Sequence, residues 1–287
     1  DHFLTQRESE LARSAIQKQI KEGDVLVQGK QVKANYRVVA DEQVSMDIPE
    51  PVEVAIVPQN IPLQILYEDQ DILIVDKPKG MVVHPAPGHP DQTLVNAVMY
   101  HCKDSLSGIN GEIRPGIVHR IDQDTTGSLI ICKNDMAHIK IAEQIKVHSI
   151  RRIYRGIVIG RVAKEEGVIH APIGRNPNDR KKMAINEKNG KDAITHYRVL
   201  KRYKDYTYME FQLETGRTHQ IRVHMASIGH PLLGDMVYGP KKCPYKLQGQ
   251  TLHAAIIGFV HPSTGEYMEV EAPIPEYFSH LLTILPE

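Results

Sequence analysis

The run Ile72-Leu73-Ile74-Val75 constrains the fold most: every position is apolar, Asp69-Gln70-Asp71 precedes it, and Lys77-Pro78-Lys79-Gly80 follows. It reads as a strand of a core sheet, bounded on both sides by turn residues. Further strands are expected over residues 116–119, 129–132, 153–159, 206–213 and 252–260, with helices over 92–100 and 136–147. Strands and helices mix without a regular repeat. That irregularity predicts an α+β fold rather than a doubly wound sheet, and the uneven strand spacing argues against a barrel of repeated units.

A smaller module precedes this region. Residues 8–22 carry Leu11, Ala15, Ile16 and Ile20 near helical spacing, and Gly23 stands where a left-handed cap ends a helix. Val25-Leu26-Val27, a Gln28-Gly29 turn and the alternation Val44, Met46, Ile48 predict short strands. Prolines at 49, 51, 58 and 62 then break the pattern. The 287 residues therefore divide into a module over 1–50, a linker over 51–64 and a larger unit over 65–287, which fits the length. The chain starts at Asp1 rather than Met, so the first module is expected to be truncated.

No apolar run approaches the roughly 18 residues that span a bilayer, and the first residues lack a signal core. Cys102, Cys132 and Cys243 are scattered and never form a C-x-x-C pair, so neither a disulfide framework nor a cysteine zinc site is implied. A reducing, cytoplasmic setting fits. The 35 basic side chains balance 35 acidic ones, but residues 149–222 hold 17 Lys and Arg against 8 Asp and Glu. That segment is expected to face an anionic polymer.

Chemistry concentrates in a few places. Asp122 and Asp124 follow the apolar pair Ile117-Val118, and Thr125-Thr126-Gly127 after them suggest a sharp turn holding a carboxylate in a cleft. An isolated Asp there is more often only a turn residue. Residues 215–224 carry Arg217, His219, Arg222 and His224; with a helix over 220–226, Arg217 and Thr218 stand at its start, where backbone N–H groups favour an anion. In Arg151-Arg152-Ile153-Tyr154-Arg155, strand alternation puts Arg152 and Tyr154 on one face. Residues 174–183, with Arg175, Arg180, Lys181 and Lys182, read as an exposed basic loop suited to phosphates. Residues 80–89 are rich in Gly and Pro but lack the Lys and hydroxyl of a P-loop, and no dinucleotide fingerprint occurs.

Gly116-Ile117-Val118-His119-Arg120-Ile121-Asp122-Gln123-Asp124-Thr125-Thr126-Gly127 closely resembles the signature of the RluA family of pseudouridine synthases. Asp76-Lys77-Pro78-Lys79-Gly80 before it, then Arg152-Ile153-Tyr154-Arg155 and residues 216–224 after it, stand in that family's order, so the resemblance runs from Leu66 to the end. Ile121, Gln123 and Arg155 depart from its usual residues. The first module resembles an S4 RNA-binding domain, with Arg13, Lys18, Lys21, Lys30 and Lys33 as its basic patch. The pairing of modules, with the segments at 172–175 and 179–183, is similar to the RluD group. The resemblance implies a pseudouridine synthase fold with a central mixed, largely antiparallel sheet, working as a monomer on structured RNA of the large ribosomal subunit. It implies isomerisation of uridine to pseudouridine with no metal, organic cofactor or nucleotide. Asp122 is then the catalytic carboxylate, Arg222 its partner, and Tyr154 the ring stacked on the flipped base. Arg120, Arg217, His219 and the basic loop are expected to contact RNA.

Two other readings compete. An inactive RNA-binding ribosome assembly factor could keep this scaffold, although Asp122, Tyr154 and Arg222 are all present. A metal-dependent hydrolase could use Asp122 and Asp124, but no H-x-x-x-H spacing accompanies them.

Overall fold

The computed structural model describes residues 2–7, 13–46, 56–86, 88–103, 105–109, 115–179 and 182–287. The chain forms two compact units, Asp1–Val54 and Ala55–Glu287.

The first unit begins with helices α1 (His2–Arg7) and α2 (Arg13–Glu22), followed by strands β1 (Val25–Val27), β2 (Lys30–Gln31) and β3 (Val44–Met46) in the order β2-β1-β3. Ile16 and Ile20 of α2 bury against Val25. The Gln28-Gly29 turn joins β1 to β2 with positive φ at both residues, 50° and 73°, which is the geometry that matches strand twist in a two-residue hairpin. The expected start of α2 at residues 8–12 and the alternation at Ile48 lie outside the described residues.

The second unit is built on one nine-stranded sheet. Its first strands are β4 (Gln64–Glu68) and β5 (Ile72–Lys77), followed by helix α3 (Leu94–Cys102), β6 (Thr126–Cys132), helix α4 (Asp135–Lys146) and β7 (Arg151–Ile159). Then come β8 (Glu166–His170), the short pair β9 (Ile173–Arg175) and β10 (Met183–Ile185), β11 (Ile194–Arg202) and β12 (Tyr206–Leu213). Helix α5 (Gln220–Ser227), β13 (Leu252–Val260), β14 (Tyr267–Glu271) and helix α6 (Glu276–Ile284) complete it. The strand order is β4-β5-β6-β13-β7-β12-β11-β8, with β14 beside β13. Among the described residues only β6 and β13 run parallel, so the sheet is mixed and largely antiparallel.

The apolar run in β5 follows from two-sided burial. Leu73 and Val75 join the core containing Leu94 and Val98 of α3 and Ile221 and Met225 of α5, whereas Ile72 and Ile74 join Ala137 and Ile141 of α4 on the other face. β6 divides in the same way, with Leu129 and Ile131 on the first face and Ile130 and Cys132 on the second. Gly127 admits the close approach of β13. Its φ is +111°, and a Cβ there would stand 2.2 Å from the Ala254 carbonyl oxygen.

Several expectations need correction. Residues 116–119 form no strand: Gly116 turns at φ +70°, only Ile117 bridges to Ile131, and the Ile130 amide donates to His119 Nε2 at 3.1 Å. A side chain there takes the place of a ladder carbonyl. Thr126 and Gly127, expected in the turn, already belong to β6. Residues 56–63, within the expected linker, are fastened to α3, where Asn96 Nδ2 donates to the Val57 carbonyl at 2.8 Å and the Gln59 amide to the Asn96 carbonyl at 3.0 Å. The basic loop is a hairpin, with β9 and β10 paired from Arg175–Met183 to Ile173–Ile185. Among the described residues no helix is long and apolar enough to cross a membrane.

Candidate active site

Asp122 opens a tight turn, closed by the Thr125 amide donating to the Asp122 carbonyl at 3.1 Å, one residue before β6. The turn is fastened from behind. Lys77, wholly buried at the end of β5, donates from Nζ to the carbonyls of Pro78, Met81 and Gln123 at 2.8, 2.7 and 2.9 Å. The Gly80 amide donates to the Gln123 carbonyl at 3.0 Å, and Gln123 Nε2 returns a bond to the Gly80 carbonyl at 3.2 Å. Burial pushes the Lys77 pKa down to about 7 against the pull of Asp124, Asp122 and Asp76.

From α5, Arg222 spans two carboxylates. Its Nη1 donates to Asp122 Oδ2 at 2.9 Å, while Nε and Nη2 fork onto Asp235 at 2.7 and 3.0 Å. The Asp235 side chain is completely buried and also accepts the amides of Val237 and Tyr238 at 2.9 and 3.1 Å. Burial disfavours charge on Arg222, but the Asp235 bonds and the charges of Asp122 and Asp235 outweigh it and raise the pKa. Asp235 is likewise held below its ordinary value despite burial, by Arg222 and the two amides. Tyr238 lies 5.1 Å from the guanidinium, and its hydroxyl accepts the Met183 amide at 3.0 Å and pairs with His219 Nδ1 at 2.8 Å. His219 Nε2 stands 3.9 Å from Asp122 Oδ1, and burial lowers its pKa against the pull of Asp122.

These groups face a cleft of about 580 Å³ lined by Arg120, Asp122, Arg152, Tyr154, Arg217 and His219, among others. Tyr154 projects from β7 and is 8% exposed; burial raises its pKa. Asp124 is not among the lining residues. Its carboxylate sits where a Cβ of Gly249 would be, 2.2 Å away, and burial raises its pKa while Lys79 and Lys77 pull it down. One aspartate therefore faces the cleft and the other faces the protein. A carboxylate, a fixed guanidinium and a tyrosine ring around one cavity can receive a nucleoside, attack or deprotonate its sugar and hold its base.

Asp122, Tyr154 and Arg222 come together as expected from sequence. Arg120 and Arg217 sit at the cleft edge, Arg120 exposed and Arg217 half-buried with Nε donating to the Asp192 carbonyl at 2.8 Å. His219, expected as an RNA contact, lines the cleft beside Asp122. Just before α5, where an anion was expected, the Arg217 amide donates to Gln220 Oε1 at 2.9 Å. Arg175 is exposed on β9 and Lys182 lies 3.8 Å from Asp179; neither lines the cleft. Lys30 is exposed in the first unit. Arg180, Lys181 and the side chains of Arg13 and Lys18 lie outside the described residues.

Sequence reasoning missed Asp235 and Tyr238. Nothing local marks Asp235 as a partner of an arginine 13 positions earlier, since the pairing arises only when the segment after α5 folds back. Among the described residues, Asp69, Asp71 and His261 are the group whose ligand atoms converge enough for a metal ion, within 4.8 Å of one another. They lie outside the cleft and bond among themselves, with His261 Nε2 2.7 Å from Asp69 Oδ2.

The profile of the RNA pseudouridylate synthase family matches residues 71–227. The Bacillus subtilis (strain 168) protein named uncharacterized RNA pseudouridine synthase YlyB is 51% identical over 98% of this chain and 92% of its own length. Ribosomal large subunit pseudouridine synthase D of Zymomonas mobilis is 48% identical over 87% of this chain and 81% of its own length. Among solved structures, human RNA pseudouridylate synthase domain containing 1 is similar in fold, with a TM-score of 0.61 and 24% identity over 83% of this chain and 99% of that one.

Proposed function

The chain belongs to the RNA pseudouridylate synthase family, and we propose that Asp122 is its catalytic carboxylate and that its substrate is large-subunit ribosomal RNA. The reaction is an isomerisation: the N1–C1′ bond of a uridine breaks, the base turns, and C5 joins C1′. Atoms and electrons balance within the nucleoside, so no redox cofactor is called for.

The observation that carries the assignment is the position of Asp122: it lines the cleft with Tyr154 and holds Arg222 at 2.9 Å, while Asp124 turns away. Asp122 acts at the sugar, Arg222 aims its carboxylate, and Tyr154 receives the base after the nucleotide leaves its stack. Arg120 and Arg217 at the cleft edge suit the neighbouring phosphates. The name of the Zymomonas relative, Ribosomal large subunit pseudouridine synthase D, supports the choice of RNA. The first unit, with a helix against a small sheet and Lys30 exposed, acts as an S4-type RNA contact.

Asp122→Asn should abolish pseudouridine formation in transcribed large-subunit ribosomal RNA and change RNA affinity little, whereas Asp124→Asn should keep most turnover. Turnover by purified Asp122→Asn would sink the assignment. RNA binding by the wild-type protein without conversion would favour an inactive assembly factor on the same scaffold.

A further inference from the structure

Among the described residues, Arg152 is a buried cation with no carboxylate partner. It projects from β7 on the same face as Tyr154, and the two are 7% and 8% exposed. Its Nη2 donates to the Glu214 carbonyl at 2.9 Å, and its Nε has no hydrogen-bond partner among the described residues. Nη1 lies over Gly216, 2.6 Å from where a Cβ would stand, so glycine there leaves room for the fork. Among the described residues no carboxylate reaches ion-pair distance of it; the nearby groups that bear on its charge are the Tyr154 hydroxyl and Arg217, a second cation. Burial lowers its pKa. A guanidinium in water-poor surroundings with one hydrogen bond to a neutral carbonyl is costly, and an acceptor supplied by a ligand would offset that cost.

That ligand must accept hydrogen bonds and carry or gain negative charge. Uridine in RNA offers two such groups, its flanking phosphates and its own base. Depth separates them: Arg120 is exposed and Arg217 half-buried at the cleft edge, where a backbone passes, whereas Arg152 lies beside the buried ring of Tyr154. We propose that Arg152 is a further catalytic residue, donating to a carbonyl oxygen of the flipped uracil and stabilising the negative charge the base gains as the N1–C1′ bond breaks. The proposal rests on the assignment of Asp122 and on uridine as substrate. When that bond breaks its electron pair stays with the base, spread over N1, O2 and O4. The pair returns as the C5–C1′ bond forms, and the proton lost from C5 is balanced by one taken up at N1. Arg152 gives hydrogen bonds throughout and transfers no proton.

The test uses the full chain and a fragment of transcribed large-subunit ribosomal RNA containing a uridine that the wild-type protein converts. Arg152→Gln should lower the single-turnover rate by about 100-fold or more, as removal of a charge-stabilising donor does. RNA affinity should move by less than about threefold, since every phosphate keeps its partner. At the target position, 2-thiouridine or 4-thiouridine replaces one carbonyl oxygen with a weaker acceptor. One of them should slow the wild type and leave Arg152→Gln no slower than it already is. Arg152→Lys, which keeps the charge without the fork, should fall between. An unchanged rate with weakened binding and a shallower salt dependence would make Arg152 a phosphate ligand and overturn the proposal. So would ordinary wild-type rates on both thiouridines, a result that holds even if the variants fail to fold. A wild-type protein that converts no uridine would refute the parent assignment instead.

Discussion

At the scale of single residues, surroundings rather than identity separate the groups around the cleft. Asp235 never meets the cavity, yet it holds two edges of Arg222 so that Nη1 alone remains for Asp122. Asp235→Asn keeps the shape and removes one charged acceptor. It should cost about 3 kcal/mol of stability, as half of a buried ion pair does. Turnover should fall about 100-fold, the size of a misplacement of about 1 Å at a reacting group. Thermal melting and single-turnover kinetics measured on the same preparation check both. His119 gives a pH signature. Burial, with the Arg152 charge, lowers its pKa to about 3, and its Nε2 accepts the Ile130 amide only while unprotonated. The unfolded chain therefore takes up a proton that the folded chain resists, so stability is fully present above about 6.5 and is lost as pH falls from there toward 3. His119→Gln, which keeps an acceptor but does not titrate, should flatten that acid limb in urea midpoints taken across the range. An unchanged limb would discard the assignment.

At the scale of elements, the turn that carries Asp122 is placed by the strands on either side of it. Lys77 of β5 ties down the Gln123 carbonyl, and β6 leaves the turn with Gly127 against Ala254 of β13. Gly127→Ala would require a positive φ from an L side chain and a clash with backbone, so it should cost about 3 kcal/mol and lower the yield of folded protein. Differential scanning calorimetry would measure that cost; a loss below about 1 kcal/mol would mean that the two strands separate easily. Periodicity made much of this layer legible. The apolar runs in β5 and β13 were readable because both their faces are buried, the alternation in β12 because one face is, and the helix α4 by its period of 3.6. Strand β11 was not, because Ile194–Arg202 carries Arg198, Lys201 and Arg202 among its apolar residues and pairs toward the less buried end of the sheet. Nor was the missing strand at 116–119, where a histidine side chain replaces a carbonyl. That Asp122, Tyr154 and Arg222 would meet at one cleft was readable from their types and order, but the Asp235 clamp and the surroundings of Arg152 exist only in three dimensions.

At the scale of the whole molecule, the two units have separate cores: Ile16, Ile20 and Val25 in the first, and the faces of the nine-stranded sheet in the second. Every residue assigned to chemistry lies in the second, and the segment at 56–63 fastened to α3 lies there too. A chain beginning at Ala55 should therefore keep a cooperative melt and convert uridine in a short RNA at close to the full rate when enzyme is saturating. What it should lose is affinity. With equal numbers of acidic and basic residues overall, the protein has no general attraction to nucleic acid and depends on local patches. If the first unit neutralises phosphates, its removal should make the salt dependence of binding shallower by roughly one unit of slope for each phosphate it no longer holds. Filter binding at several salt concentrations, beside single-turnover rates on the same RNA, separates the two effects. A truncated chain that binds as before but no longer reacts would show that the first unit serves the chemistry rather than the grip.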